Sequence, residues 1–135
     1  MNLRTAHLSL RLDPLRSVDA EDWVRVRVSV AGGVFSGAFE AFLQLEDLKT
    51  FHRAVQRMYA DVGEPREAVL SCHEPGIYVS LLSNQLGQVE GKYTFGAEDG
   101  SFAQLTGSFQ VDQSFLPELA ASTQELMASL SGNVA

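Results

Sequence analysis

Cys72, His73 and Glu74 form the one run of ligand-type side chains in this chain of 135 residues, and only His7 and His52 could join them from elsewhere as imidazoles. On an extended strand Cys72 and His73 point to opposite faces. With a single cysteine in the sequence, no set of three or four ligands is completed. Cys72 therefore reads as a small apolar core residue beside a surface histidine, and neither a metal nor any other cofactor is expected. His52, next to Arg53 and close to Arg57, reads as an edge-of-core residue, and His7 as an exposed one.

Nucleophilic catalysis needs a Ser or Cys activated by a histidine that an acid orients, and no local arrangement supplies it. Gly-x-Ser-x-Gly does not occur. Gly32-Gly33 joins two extended runs and does not open a helix, so it is not a phosphate loop. Glu98-Asp99 is a carboxylate pair in a turn-like stretch, where solvation accounts for both charges. The sequence thus points away from an enzyme and toward a binding protein.

The elements that would position such a binding surface are legible from periodicity. Leu8, Leu10 and Leu12 alternate with polar residues up to Asp13-Pro14 and define a first strand. Trp23 to Val30 is the second: its four valines fall on one face, and Trp23, Arg25, Arg27 and Ser29 on the other. Gly32-Gly33 turns the chain into a third strand, Val34 to about Leu43, with Phe35, Gly37, Phe39, Ala41 and Leu43 expected on the core face. From Leu45 the period changes to 3.6, and Leu48, Phe51, Val55, Met58, Tyr59 and Val62 share a helical stripe ended by Gly63 and Pro65. Four more extended runs follow, Glu67 to His73, Ile77 to Ser83, Gln88 to Phe95 and Phe102 to Asp112. Ser114 is the expected cap of a last helix whose buried side carries Phe115, Leu119, Thr123, Leu126 and Leu130.

The expected architecture is α+β with two layers: one curved antiparallel sheet of about seven strands, in the order β-β-β-α-β-β-β-β-α, with both helices on one face. Residues 1-135 read as a single domain with a short disordered polar tail at 131-135. The lone cysteine and the absence of a continuous apolar segment near Met1 argue against secretion. No apolar run approaches the roughly 18 to 20 residues of a membrane span. A cytoplasmic protein is expected.

Net charge is −7, unevenly spread. Residues 1-70 carry nine basic and ten acidic side chains, whereas 71-135 carry seven acids against Lys92 alone. Such a field repels phosphate backbones and anionic lipid and speeds encounter with a cationic partner, so neither nucleic acid nor membrane is expected as a partner. Trp23 with Arg25 and Arg27 has the composition of an interface anchor, against the plainer reading that the tryptophan covers the sheet end and the arginines pair with acids.

Four segments together, Trp23-Val-Arg-Val-Arg-Val, Phe35-Ser-Gly-Ala-Phe39-Glu-Ala-Phe-Leu, Asp47-Leu-Lys-Thr-Phe51 and Asp112-Gln-Ser-Phe-Leu-Pro117, resemble the bacterial WapI-like immunity proteins over residues 20 to 126. The resemblance implies a small cytoplasmic antitoxin that neutralises the toxin domain, a nuclease, of a contact-dependent competitor. A basic toxin domain is the expected partner, met through acids drawn from Glu74, Glu90, Glu98, Asp99 and Glu118. The alternative is a non-catalytic, self-associating module, such as a homodimer formed through an open sheet face or an edge strand.

Overall fold

The computed structural model describes residues 1–72, 76–97, 101 and 103–132. Two four-stranded antiparallel meanders, each followed by a helix, make up the described chain. The first unit is β1 (Asn2–Arg4), β2 (Leu8–Pro14), β3 (Trp23–Gly32), β4 (Phe35–Gln44) and α1 (Leu45–Ala60). The second is β5 (Glu67–Ser71), β6 (Ile77–Ser83), β7 (Gln88–Gly96) and β8 (Gln104–Asp112), then a 3-10 turn (Gln113–Phe115) and α2 (Leu116–Gly132). Strand order equals chain order in both sheets, β1-β2-β3-β4 and β5-β6-β7-β8.

The α+β class, the antiparallel pairing and the two helices agree with the sequence reading. Eight strands in two sheets stand where about seven in one curved sheet were expected. The extra strand, β1, carries one inward apolar residue, Leu3, between exposed Asn2 and Arg4, which is too short for an alternation to register. The sheets separate because the short link from α1 delivers the chain to β5 beside that helix and not to the edge of β4. Each helix also reaches into the other unit. Besides packing on each other, α1 lies against β5, and α2 lies against β1 and β2.

Alternation decides which side chains enter the core. Val24, Val26, Val28 and Leu43 from the first sheet and Leu70, Val79, Leu81 and Phe95 from the second belong to one continuous cluster, together with Phe51 and Val55 of α1 and Leu119 and Leu130 of α2. Tyr93 joins the two sheets. Its hydroxyl lies so near Gly32 of β3 and Gly107 of β8 that a Cβ at either glycine would sit at 2.6 and 2.4 Å from it. The Phe109 ring lies over Gly91 still more closely, with its Cζ at 2.1 Å from where a Cβ would stand.

Three local expectations are corrected. Phe35 is 68% exposed, Gly37 is exposed and Phe39 is half-buried, so the core face of β4 begins only at Ala41. This end of β4 borders a groove towards Phe95 and Leu105 of the second sheet and is not packed against it. Tyr59 and Val62 are exposed, since α1 ends at Ala60 and its contact stripe closes at Met58. The cap before α2 is Asp112: its carboxylate accepts from the Ser114 amide at 2.9 Å and from the Ser114 hydroxyl. Ser114 is thus the capped residue and not the cap. At the other end, α2 continues to Gly132, and 133–135 lie outside the described residues.

Candidate interaction surface

Apart from the Phe35–Phe39 end of β4, the inward residues of the two sheets are largely taken up by the core, so the outward residues supply most of the exposed surface, and the two sheets carry opposite chemistry there. The outer face of the first sheet holds Arg4, Arg11, Arg25 and Arg27 against Asp13 and Glu40. Arg11 pairs with Asp13 at 2.9 Å, while Arg25 pairs with Glu40 and stands over the Phe42 ring at 5.9 Å from its centroid. Arg27 faces Asp13 and Glu40 across the ladder. Trp23 is half-buried at the start of β3. The plainer reading of that aromatic and cationic row therefore holds for Arg25.

Beyond these pairs the same face is made of small residues, Ser9, Ser29, Ala31, Ser36 and Ala38. They leave a concave cavity of about 750 Å³ that reaches from Arg4 and Arg11 to β4.

The outer face of the second sheet is acidic. Glu67, Leu82, Glu90 and Gln110 stand in one row across β5, β6, β7 and β8, because Glu67 faces Leu82, Leu82 faces Glu90 and Glu90 faces Gln110 in the strand registers. Adjacent strands lie about 4.8 Å apart, so the two carboxylates flank Leu82 at about 10 Å from each other. Leu82 is 52% exposed, and Tyr78 on the same strand also reaches solvent. Lys92 is the one base on this face, and Asp112 adds a third acid. The hydroxyl and amide of Ser114 hold the Asp112 carboxyl below its usual range. An exposed apolar residue between two charges of one sign is the composition of a contact point for a cationic, partly apolar partner.

Of the acids singled out from sequence, Glu90 sits at the centre of this row and Glu118 is exposed in the first turn of α2, on a separate element. Glu74, Glu98 and Asp99 lie outside the described residues, as does His73. Glu67 and Leu82 were missed. Glu67 falls in the half of the sequence whose charges balance, and only the strand register shows that it joins Glu90. Cys72 is half-buried, and its sulfur accepts from the Ile77 amide at 3.2 Å, which places it in the β5-β6 connection. Among the described residues no group of three or more His, Cys, Asp or Glu side chains is placed to hold a metal.

The model of the WapI-like immunity protein family matches residues 3–131. The chain belongs to that family. No curated protein matches it. Among solved structures, MRP1/MRP2 of Trypanosoma bruciei is similar with a TM-score of 0.51 at 10% identity, covering 100% of this chain and 86% of that one. The plant transcriptional regulator PBF-2 gives 0.48 at 10% identity, with 98% and 81% covered. WHY1 of Arabidopsis thaliana gives 0.45 at 9% identity, with 100% and 92% covered. At such identities the likeness to MRP1/MRP2 concerns the fold alone. In the family member described here, no helix among the described residues is long and apolar enough to cross a membrane.

Proposed function

We propose that this immunity-family protein is a non-catalytic, cytoplasmic antitoxin that binds the nuclease domain of a bacterial contact-dependent or polymorphic toxin and occludes its active site. The observation that carries the reading is the family match over 3–131. The acidic outer face of the second sheet adds a physical means. A nuclease grips its substrate through a basic groove, and an acidic surface competes for that groove with fast, salt-sensitive association. The contact set is Glu67, Leu82 and Glu90, extended by Glu118 and by Glu74, Glu98 and Asp99. No cofactor enters this function.

Tagged protein is used to capture partners from the source cells, with washes at low and high salt and identification of the retained polypeptide by mass spectrometry. Recovery of one basic polypeptide, whose nuclease activity falls on adding this protein, is the expected result. If that toxin is expressed and only the protein itself is recovered, the antitoxin reading fails. A second reading, a self-associating module, is favoured by the open edge of β4. Light scattering separates it, since a stable oligomer without a foreign partner is its signature.

A further inference from the structure

Thr50, Arg53, Ala54 and Arg57 recur at three- and four-residue steps along α1, on the flank of the stripe that enters the core. Arg66 meets this flank from the other side, just before β5, the strand against which α1 lies. Together with Pro65 and Glu67 these residues line a cavity of about 410 Å³. Three guanidiniums against one carboxylate leave its wall positively charged, in a chain whose net charge is −7.

Two of the three cations are held in place by contacts on the fold itself. The Arg66 amide donates to the Ser83 hydroxyl at 3.0 Å, and its carbonyl accepts from the Ser83 amide at 2.9 Å. Its guanidinium pairs with Asp61 at 2.7 Å, and that of Arg53 with Glu46 at 2.9 Å. Both pairs are made through a single Nη2, whereas a guanidinium carries five N–H donors. Arg66 Nε has no acceptor and is shut off from solvent, an unmet donor of the kind that folded proteins normally satisfy. Arg57 has no ion pair among the described residues. The helix dipole favours a cation in the last turn of α1, which accounts for Arg57 alone. It does not account for Arg53 one turn earlier, since like charges at that spacing repel, nor for Arg66 across the seam.

We infer that the seam between α1 and β5 is a binding site for a phosphate group, carried either on a small phosphorylated molecule or on a phosphorylated side chain. A guanidinium fork matches two oxygens of a phosphate at once, and a phosphate dianion offers acceptors enough for Arg57 and for the unused donors of Arg53 and Arg66. A carboxylate has one charge and two oxygens, too few for three guanidiniums. The Thr50 hydroxyl accepts from Arg53 at 3.4 Å, which leaves its own hydrogen to give. Glu67 at the rim repels a bare anion but accepts from a hydroxyl or amide on the rest of the ligand. Glu67 also belongs to the acidic row of the second sheet, yet the arginines that define this site do not, and the inference does not rest on the antitoxin reading.

The test is isothermal titration of the whole protein at constant ionic strength, above the second ionisation of phosphate. The probes are inorganic phosphate, ribose 5-phosphate, a capped phosphoserine peptide with its unphosphorylated form, and sulfate. Saturable binding of phosphate is expected, with at least one organic phosphate held about tenfold more tightly than sulfate. Whichever of the two is held more tightly names the source. Arg57→Gln should weaken that binding about tenfold, as loss of a hydrogen bond to a charged group does, at an unchanged ligand-free melting midpoint. Arg53→Gln is the second variant should the first misfold, and Glu67→Gln should tighten the binding of inorganic phosphate. Arg27→Gln makes the same change of net charge on the first sheet and should alter affinity less than about twofold. Absence of saturable binding, or equal losses in Arg27→Gln and Arg57→Gln, overturns the inference. So does an organic phosphate held no more tightly than sulfate, which would mean an adventitious ion only. No toxin enters the titration, so its failure and failure of the antitoxin reading are separate results.

Discussion

The two units repeat one architecture and differ in where they are open. The first sheet leaves its last strand exposed from Phe35 to Ala38, lines its outer face with small residues and arginines, and sets Gly37 in open space. The second sheet closes over its glycines, with Phe109 on Gly91 and Tyr93 on Gly107, and shows the solvent an acidic row around Leu82. The same residue type thus plays opposite parts. Glycine on β7 makes room for an aromatic ring in the core, whereas glycine on β4 leaves a surface bare. A fold that repeats its topology is free to assign its two sheets different work.

That contrast is broken first by stability. Gly91→Ala forces Phe109 out of its position, and overpacking of this kind costs about 1 to 3 kcal/mol. Gly37→Ala meets nothing and should stay within about 0.5 kcal/mol of the parent. Urea denaturation of the two variants measures the difference directly. Equal midpoints would mean that the second sheet is no more tightly packed than the first.

Charge reversal is the next largest effect. Changing Glu67 and Glu90 together to Lys should slow association with the toxin by about tenfold at low ionic strength, with the loss shrinking as salt is raised. Arg4→Glu should leave the same on-rate within about twofold. Stopped-flow association at two salt concentrations checks both, and equal sensitivity of the two faces would remove the assignment of toxin binding to the second sheet.

The strand-to-helix junctions give the smallest effects. Asp47 accepts from the Gln44 amide at 3.0 Å and is half-buried, so Asp47→Ala should cost about 1 kcal/mol, as lost helix caps do. Asp112 performs the matching task before α2 in full solvent, and Asp112→Ala should cost less. Its native carboxyl lies below the ordinary value of 3.8, which sets the sign of the pH dependence. The protonated form is disfavoured in the folded state, so this contribution is fully present above the unfolded value and disappears as pH falls through the lower native one. Carboxyl NMR titration of Asp112 reads this; a value at or above 3.8 would contradict the Ser114 bonds.

Much of this arrangement was legible in the residues. The alternation of four valines from Val24 to Val30 and the 3.6-period stripe from Leu48 to Met58 name β3 and α1 because each follows from a local backbone geometry. Leu3 alone could not announce β1. Nor does alternation say which strand is whose neighbour: it assigns faces, and the division into two sheets depends on where the link between Asp61 and Arg66 delivers the chain. Asp61 pairs with Arg66 at 2.7 Å across that link, a contact that no local periodicity announces. The exposure of Phe35 was hidden for the same reason, since its apolar character and parity match those of Leu43 and only the packing around each distinguishes them. Glu90 was found as an acid in an acidic half, while its companions Glu67 and Leu82 become visible only through pairing across strands.

Inward side chains hold both units together, and outward ones on either sheet contribute little to that cohesion. Substitutions at positions such as Glu67, Leu82 and Glu90 can therefore accumulate in succession without passing through an unfolded intermediate sequence. If the proposed toxin contacts lie at these positions, specificity can be rewritten one residue at a time while the same scaffold is inherited intact.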